Sequence, residues 1–516
     1  MRWFNTAGPC QADTHYTLLE REGVPDLRRL IDRRQYFVLH APRQTGKTTT
    51  ILNLAQALIE EGRYAAVALS VEVGAPFNGE RLAMLEGAVL GAWRTQCRAR
   101  LPESLQPPPW PDAQPGQRLR SALAAWASAS ARPLVLFVDE VDALQEDALI
   151  SVLRQLRDGF PDRPGHFPHS MGLVGMRDVR DYVVASGGRG RLGSASPFNV
   201  KVASIRIGDF TRAEVEALLG QHSAETGQPF TPSAVERVWT LTRGQPWLVN
   251  ALAAQAIDVL VPDRAVPIDA ADVDRARDAL VKRQDTHLDS LAERLREPRV
   301  RAVIEPILAG QTPEDLPPDD VRYVIDLGLV RRSDQGGLTI ANPIYREVIP
   351  TSLASNPRNF MPAIAPSWLD DAGRLVAAKL LSAFLDFWRR NGEPLMRSAP
   401  YHEVAPHLVM MAFLDRVSNG GGRVEREYAI GSGRMDLCLM YGTQRLAMEL
   451  KVWRPGEPDP LAEGLTQLDG YLAGLGLETG WLVIFDRRPG IGRLAERTGV
   501  EAARTASGRE VVVVRG

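Results

Sequence analysis

Residues 36–48, YFVLHAPRQTGKT, decide the first fold of this chain. Tyr36–His40 is a short apolar run that reads as a strand, and Ile51, Leu54, Ala55 and Leu58 repeat at helical spacing just beyond the loop. A strand, a tight loop and a helix with GK[ST] at the junction curl backbone N–H groups around phosphate oxygens. A helix N-terminus lies beneath the loop, and an ammonium reaches the outer phosphates. Gly46 supplies the close approach, Lys47 the charge, and Thr48, with Thr49 beside it, the magnesium-side hydroxyl. Ala41 stands where the pattern GxxxxGK[ST] has its first glycine, and alanine resists positive φ, so the loop geometry is expected to depart there.

A second stretch completes the first. LVLFVDE ends at Glu140, ninety-odd residues after the loop, and reads as a buried strand with two carboxylates at its tip. Phosphoryl transfer asks for one carboxylate in the magnesium shell and one beside the attacking water. Asp139 and Glu140 suit those two roles, Glu140 as the catalytic group.

Working outward, Ala65–Val71 and Met171–Gly175 add two strands, with helices alternating between them, as in a sheet wrapped on both faces. From about Phe210 the strands stop, and Arg212–Ser223, Pro232–Thr242 and Trp247–Val261 read as helices. Residues 286–352 give short helices, then LVRRSDQGGLTIANP, a strand, a Gly-Gly turn and a strand in the order of a winged helix. Arg331 and Arg332 suit phosphate contacts, but DDVRYVIDLGL ahead of them is acidic, so packing against the first domain is the competing use of that surface. PTSLASNPRNFMPAIA, residues 350–365, reads as a linker.

At 516 residues the chain has room for about three domains. Hydrophobic residues make 44% and charged residues 24%, the balance of a globular protein. The net charge of −2 excludes a global basic field, so any nucleic-acid surface is local. Cys10, Cys97 and Cys438 are odd in number and lack CxxC spacing, which argues against a disulfide framework or a zinc ribbon. With no apolar run of membrane-spanning length and no signal-like N-terminus, the expectation is a cytoplasmic protein without a membrane partner. The lysines are few: Lys47, Lys201, Lys282, Lys379 and Lys451 stand among 61 basic residues. Each position that keeps a compact ammonium where arginine serves elsewhere merits attention.

The first 350 residues resemble P-loop ATPases of the AAA+ and STAND type, in which a nucleotide switch is followed by a helical lid and often a winged helix. The resemblance implies ATP and Mg2+ as cofactors. It implies a sensor arginine at Arg177, after GLVGM, and a GxP turn near the adenine at Gly244 and Pro246. It also implies that the FNTAGP segment closes over the base, and that ATP drives assembly of a homo-oligomer.

Lys451 marks a second constellation. GSGRMDLCLMYGTQRLAMELKVWRP reads as strand, turn, strand, with Asp436 on the first strand and Glu449 and Lys451 on the second. Alternation puts Ala447, Glu449, Lys451 and Trp453 on one face, and pairing brings Asp436 alongside. Two carboxylates about 4 Å apart repel by roughly 4 kcal/mol at an effective dielectric near 20, so the site asks for a cation or a shared proton. Oxygen ligands with open water positions suit Mg2+, or Mn2+ in its place. The pattern resembles the PD-(D/E)XK nuclease superfamily over about residues 370–490. That resemblance implies metal-dependent phosphodiester hydrolysis, with Asp436 and Glu449 holding the metal and Lys451 orienting water or stabilising the transition state. Glu403 is its upstream acid, and Gln467 and Tyr471 its accessory pair on one helical face. Met435 stands where the superfamily has its proline. An ordinary hairpin ion pair, or a nuclease fold that only binds nucleic acid, are the competing readings.

The expected fold class is α/β multidomain. It comprises a P-loop NTPase three-layer α/β/α core over 1–205, a helical lid over 206–285 and a winged helix over 286–352. A linker over 353–369 leads to a restriction-endonuclease-like α/β domain over 370–516. The expected function is an ATP-hydrolysing switch that controls a nuclease acting on nucleic acid, DNA before RNA, with defence against foreign DNA as the role by analogy. The competing classes are a STAND-like signalling or scaffold ATPase whose last domain binds nucleic acid uncut, and a resolvase-like repair factor.

Overall fold

The computed structural model describes residues 1–18, 21–22, 27–77, 81–144, 146–177, 200–283, 291, 293–308, 316–333, 336–353, 367–398, 405–418, 422–430, 433–488 and 492–516. The chain forms two compact units, Met1–Arg283 with Arg322–Leu329, and Gln284–Val321 with Val330–Gly516.

The first unit is built on strands β1 (Tyr36–His40), β2 (Ala65–Ser70), β3 (Leu134–Asp139), β4 (Ser170–Gly175) and β5 (Lys201–Arg206). They form a sheet in the order β2-β3-β4-β1-β5 whose pairings are all parallel. Alternation along β1 divides the core in two. Tyr36 and Val38 join Leu85, Trp93, Leu123 and Leu153 on one face, while Phe37 and Leu39 join Ile51, Ala55 and Leu58 on the other. Burial on both faces explains why β3 reads LVLFVD without polar alternation. Four of the five strands agree with the sequence reading, and β5 is the one it omits. An edge strand exposed along most of one face, KVASIR carries too little apolar signal to stand out.

Helices Arg212–Thr226, Pro232–Thr242, Pro246–Ala254 and Ala270–Arg283 follow. The first opens on a capping box, Thr211 Oγ1 accepting from Glu214 N–H at 3.2 Å and the Glu214 carboxylate accepting from Thr211 N–H at 2.7 Å. The third is shorter than expected, because Gln255–Leu260 winds on as a π-helical turn.

The second unit contains a two-stranded antiparallel hairpin, β6 (Val330–Arg332) with β7 (Leu338–Ile340), followed by helix Pro343–Leu353. Its main sheet is mixed: β8 (Gly422–Ile430), β9 (Gly433–Tyr441), β10 (Gln444–Trp453), β11 (Thr479–Asp486), β12 (Gly499–Arg504) and β13 (Glu510–Arg515) lie in the order β12-β13-β11-β10-β9-β8. β8, β9 and β10 form an antiparallel meander, whereas β10, β11 and β13 run parallel. Helix Leu461–Leu475 crosses from β10 to β11, and its Leu468 and Leu472 pack on Ala447, Leu482 and Ile484. Among the described residues no helix is long and apolar enough to cross a membrane.

Candidate functional site

β1 delivers the chain to the loop 41–46, whose left-handed positions are Gln44 (φ 60°) and Gly46 (φ 87°). Ala41 is fully buried and is not among the positive-φ residues, so the alanine in the glycine position meets no strain there. Lys47 begins the helix Lys47–Glu60, and its Nζ turns back to donate to the carbonyls of Ala41 (2.9 Å) and Pro42 (2.8 Å). Burial lowers the Lys47 ammonium's pKa, against the fields of Asp142, Glu140 and Asp139.

β4 lies between β1 and β3, yet the β3 tip comes level with the loop. Thr48 Oγ1 donates to Asp139 Oδ2 at 2.7 Å, and Asp139 Oδ1 accepts the N–H of Glu140 at 2.9 Å. A threonine hydroxyl and a buried carboxylate at a helix N-terminus are hard oxygen donors of the kind magnesium takes. Glu140 holds a left-handed backbone (φ 58°), a conformation that costs energy in a residue with a Cβ and is typical of functional sites. Burial first, then the neighbouring charges of Asp142 and Asp139, raise its carboxyl to about 7, with Lys47 acting against them. A carboxyl poised near neutrality is suited to orienting or accepting a proton from water.

The cavity beside the loop is lined by Gly46, Thr49, Asn5, Pro246, Trp247 and Asn250, among others. Cys10 N–H donates to Thr49 Oγ1 at 3.0 Å, and Trp247 Nε1 donates to the Thr6 carbonyl at 2.8 Å. The N-terminal segment thus spans from the phosphate loop to the helix opened by Pro246. Gly244 shapes that turn: at φ 80°, a Cβ there would sit 1.9 Å from the Phe210 carbonyl oxygen. Gln245 then caps the helix by accepting from Leu248 N–H at 2.6 Å.

Arg177, at the end of β4, stacks its guanidinium 4.4 Å from the Tyr323 ring centroid. The segment Arg322–Leu329 belongs to the same unit; Arg206 donates to the Ile325 carbonyl at 3.1 Å, and Gly328 is so close to Pro42 that a Cβ would meet Pro42 Cγ at 2.8 Å.

Two residues of this site have no place in the sequence reading. Arg21 donates to the carbonyls of Thr45 (2.7 Å) and Gly208 (2.6 Å) and packs over Phe210, tying the phosphate loop to the stretch that leads into helix Arg212–Thr226. No local pattern distinguishes it from the other arginines. Asp142, two residues after Glu140, accepts from Met176 N–H at 3.2 Å; the repeated acid in DEVDAL was the available signal.

In the second unit, Glu449 is buried on β10, and its Oε1 lies 3.4 Å from Lys451 Nζ. Lys451 also pairs with Glu463 at 3.0 Å, and Gln467 Nε2 donates to the same Glu463 oxygen at 3.2 Å. Glu463 is therefore a member of the cluster that the sequence reading did not single out, although it precedes Gln467 by one helical turn. Tyr471 packs against the helix–sheet core. The β9–β10 register runs Ala447 to Cys438 and Met448 to Leu437, so Asp436 and Glu449 are the next residues along the two strands. The Asp436 side chain and all of Glu403 lie outside the described residues. Among the described residues no group of three His, Cys, Asp or Glu side chains could hold a metal ion. The oxygen chemistry of Glu449 and Asp436 suits magnesium or manganese.

Comparison with known proteins bears on the first unit. Residues 24–165 match the AAA ATPase domain. This part of the chain is an ATPase domain of the AAA P-loop kind, and ATP is its expected nucleotide. No curated protein matches the chain. Solved structures with similarity include the Walker-type ATPase of Pyrococcus abyssi, at 12% identity and TM-score 0.45 over 67% of this chain and 99% of that one. The RuvB Holliday junction branch migration motor of Thermotoga maritima gives 15% identity and TM-score 0.34, over 63% and 91%. Cdc6p of Pyrobaculum aerophilum gives 12% and 0.36, over 78% and 96%.

Proposed function

We propose that the chain is an ATP-binding and ATP-hydrolysing switch that controls a magnesium-dependent phosphodiesterase in its second unit. Its substrate is nucleic acid, DNA before RNA, and its role is defence against foreign DNA. In this reading Gly46, Lys47, Thr48 and Thr49 hold the phosphates, Thr48 and Asp139 the metal, and Glu140 orients the attacking water. Arg177 senses the terminal phosphate, while Gly244 and Pro246 shape the adenine end. Residues 1–205 are the ATPase core, 206–285 the lid, 286–352 a winged helix, 353–369 the linker and 370–516 the nuclease-like domain. ATP promotes assembly of a homo-oligomer of the STAND kind.

The observation that carries the nuclease half is Lys451 Nζ held 3.4 Å from the buried Glu449 and 3.0 Å from Glu463, one strand from Asp436. A bound divalent cation would lower the pKa of its water and offset charge building on the phosphate. The protein's part is to fix Glu449 and Asp436 as oxygen ligands and to hold the Lys451 ammonium beside them. Glu403, Gln467 and Tyr471 support that arrangement.

The Lys451–Glu463 ion pair also favours a second reading, in which this domain binds nucleic acid without cutting it. The test is incubation of the purified chain with ATP and magnesium on linear, circular, single-stranded and branched DNA and on RNA, with Lys451→Ala alongside. Magnesium-dependent cleavage that vanishes in Lys451→Ala supports the proposal. Binding with no cleavage of any form refutes it in favour of the second reading, and a preference for branched over linear DNA points to a resolvase-like factor.

A further inference from the structure

The helix Pro246–Ala254 is buried along its length, and its residues are apolar except for one amide, that of Asn250. Asn250 lies one turn beyond Pro246, is 7% exposed, and lines the cavity beside the phosphate loop. Its Oδ1 is buried without a hydrogen-bond partner, and no described residue accepts from its Nδ2. Burying an acceptor unpaired costs free energy, so this group asks for a donor.

The cavity has two ends. Gly46, Thr49 and Thr50 line it at the phosphate loop, where the helix N-terminus favours negative charge. A nucleotide with its phosphates there extends its base toward the walls formed by the N-terminal segment and the helix opened by Pro246. Leu218 and Pro246 offer apolar surface to the flat face of a purine. Neighbouring polar side chains on those walls are engaged. Asn5 Oδ1 accepts from Ala7 N–H and its Nδ2 donates to the Gly8 carbonyl, both at 3.1 Å. Trp247 Nε1 is taken up by the Thr6 carbonyl, and the Tyr16 hydroxyl lies 3.3 Å from His222 Nδ1. The Asn250 amide, by contrast, can turn about its last torsion to suit a ligand without giving up a bond.

We propose that Asn250 reads the base of the bound nucleotide, its Oδ1 accepting a hydrogen bond from the exocyclic amino group of adenine. Nδ2 then donates to the neighbouring ring nitrogen, the paired acceptor and donor by which an amide recognises adenine. Phosphate contacts are common to every nucleoside triphosphate, so selection of the nucleotide falls to the base end. The inference rests on the ATP-binding reading and adds to it the residue that selects adenine.

The probes are ATP and purine riboside triphosphate, which is ATP without the exocyclic amino group. Each displaces a fluorescent ADP from the full chain. Wild type should bind ATP about tenfold more tightly, because the analogue leaves the buried acceptor unpaired. Asn250→Leu keeps the size of the side chain and removes the amide, so it should bind the two nucleotides within about twofold of one another. The ratio is taken within each protein, so a general loss of stability in the variant cannot imitate the effect. Lys47→Ala, a change at the phosphate end, should weaken both nucleotides alike. Equal binding of the two by wild type, or a preference for ATP that survives in Asn250→Leu, would overturn the proposal and leave the ATP reading standing. Binding of neither nucleotide to wild type would overturn the ATP reading and the proposal with it.

Discussion

Gly244→Ala tests how the helix opened by Pro246 is held against the cavity beside the phosphate loop. Two effects add. At φ 80° an alanine meets the left-handed cost of roughly 1–2 kcal/mol, independent of its surroundings. In addition the new Cβ would sit 1.9 Å from the Phe210 carbonyl oxygen, well inside the 3.4 Å at which ordinary contact begins, so backbone must move. Overpacking of that kind adds about 1–3 kcal/mol. The displaced strand of contacts includes the 2.8 Å hydrogen bond from Phe210 N–H to the Gly244 carbonyl and, one turn on, the Trp247 to Thr6 bond that closes the cavity. Gly227 is the internal control: its φ is 79°, it also follows a helix, and nothing lies within 4 Å of its would-be Cβ. Urea unfolding followed by tryptophan fluorescence, with fluorescent-nucleotide titration in parallel, reads both. Gly227→Ala should lose roughly 1–2 kcal/mol with unchanged nucleotide affinity, and Gly244→Ala roughly 2–5 kcal/mol with weakened binding. Equal losses, or a Gly244→Ala protein that binds nucleotide like the wild type, would refute the reasoning.

Other outcomes follow from the same geometry. Arg21→Ala removes the donors to Thr45 and Gly208 and should weaken nucleotide binding by about tenfold, read by the same titration. Burial pushes the Cys97 thiol up to about 12, so a thiol-reactive dye at pH 8 should leave Cys97 unlabelled in the folded chain and label it only in denaturant, as peptide mapping would show. Hydrogen bonds from Ser507, Thr505 and Arg509 hold the Asp469 carboxyl down at about 2, below its ordinary 3.8. Its depressed pKa means the contribution is present above the ordinary value and is lost as pH falls through the folded one. The gap in melting temperature between wild type and Asp469→Asn should therefore be constant above about pH 4 and shrink as pH falls toward 2.

The sequence made the first sheet legible because buried parallel strands are continuous apolar runs and the phosphate loop has a fixed spacing. Lys47, Thr48, Asp139 and Glu140 could be named for the same reason, and the structure brings them together as neighbours of one loop. β5 escaped because an exposed edge strand carries little apolar periodicity. Arg21 escaped for another reason: its contacts are to Thr45 and to Gly208, a residue far along the chain, and long-range pairing leaves no local pattern. In the second unit, alternation along β10 sufficed to put Glu449 and Lys451 on one face, but Glu463 reaches Lys451 only through the packing of the crossover helix on the sheet.

In the proposed function two chemistries, each marked by a lysine, act in one chain, and the first governs the second. ATP hydrolysis and magnesium-dependent DNA cleavage, measured side by side on wild type, Lys47→Ala and Lys451→Ala, test it most directly. Lys451→Ala is expected to hydrolyse ATP and cut nothing, whereas Lys47→Ala is expected to lose hydrolysis and cut at an altered rate. Cleavage that survives in Lys451→Ala, or cleavage by Lys47→Ala indistinguishable from wild type, would contradict it.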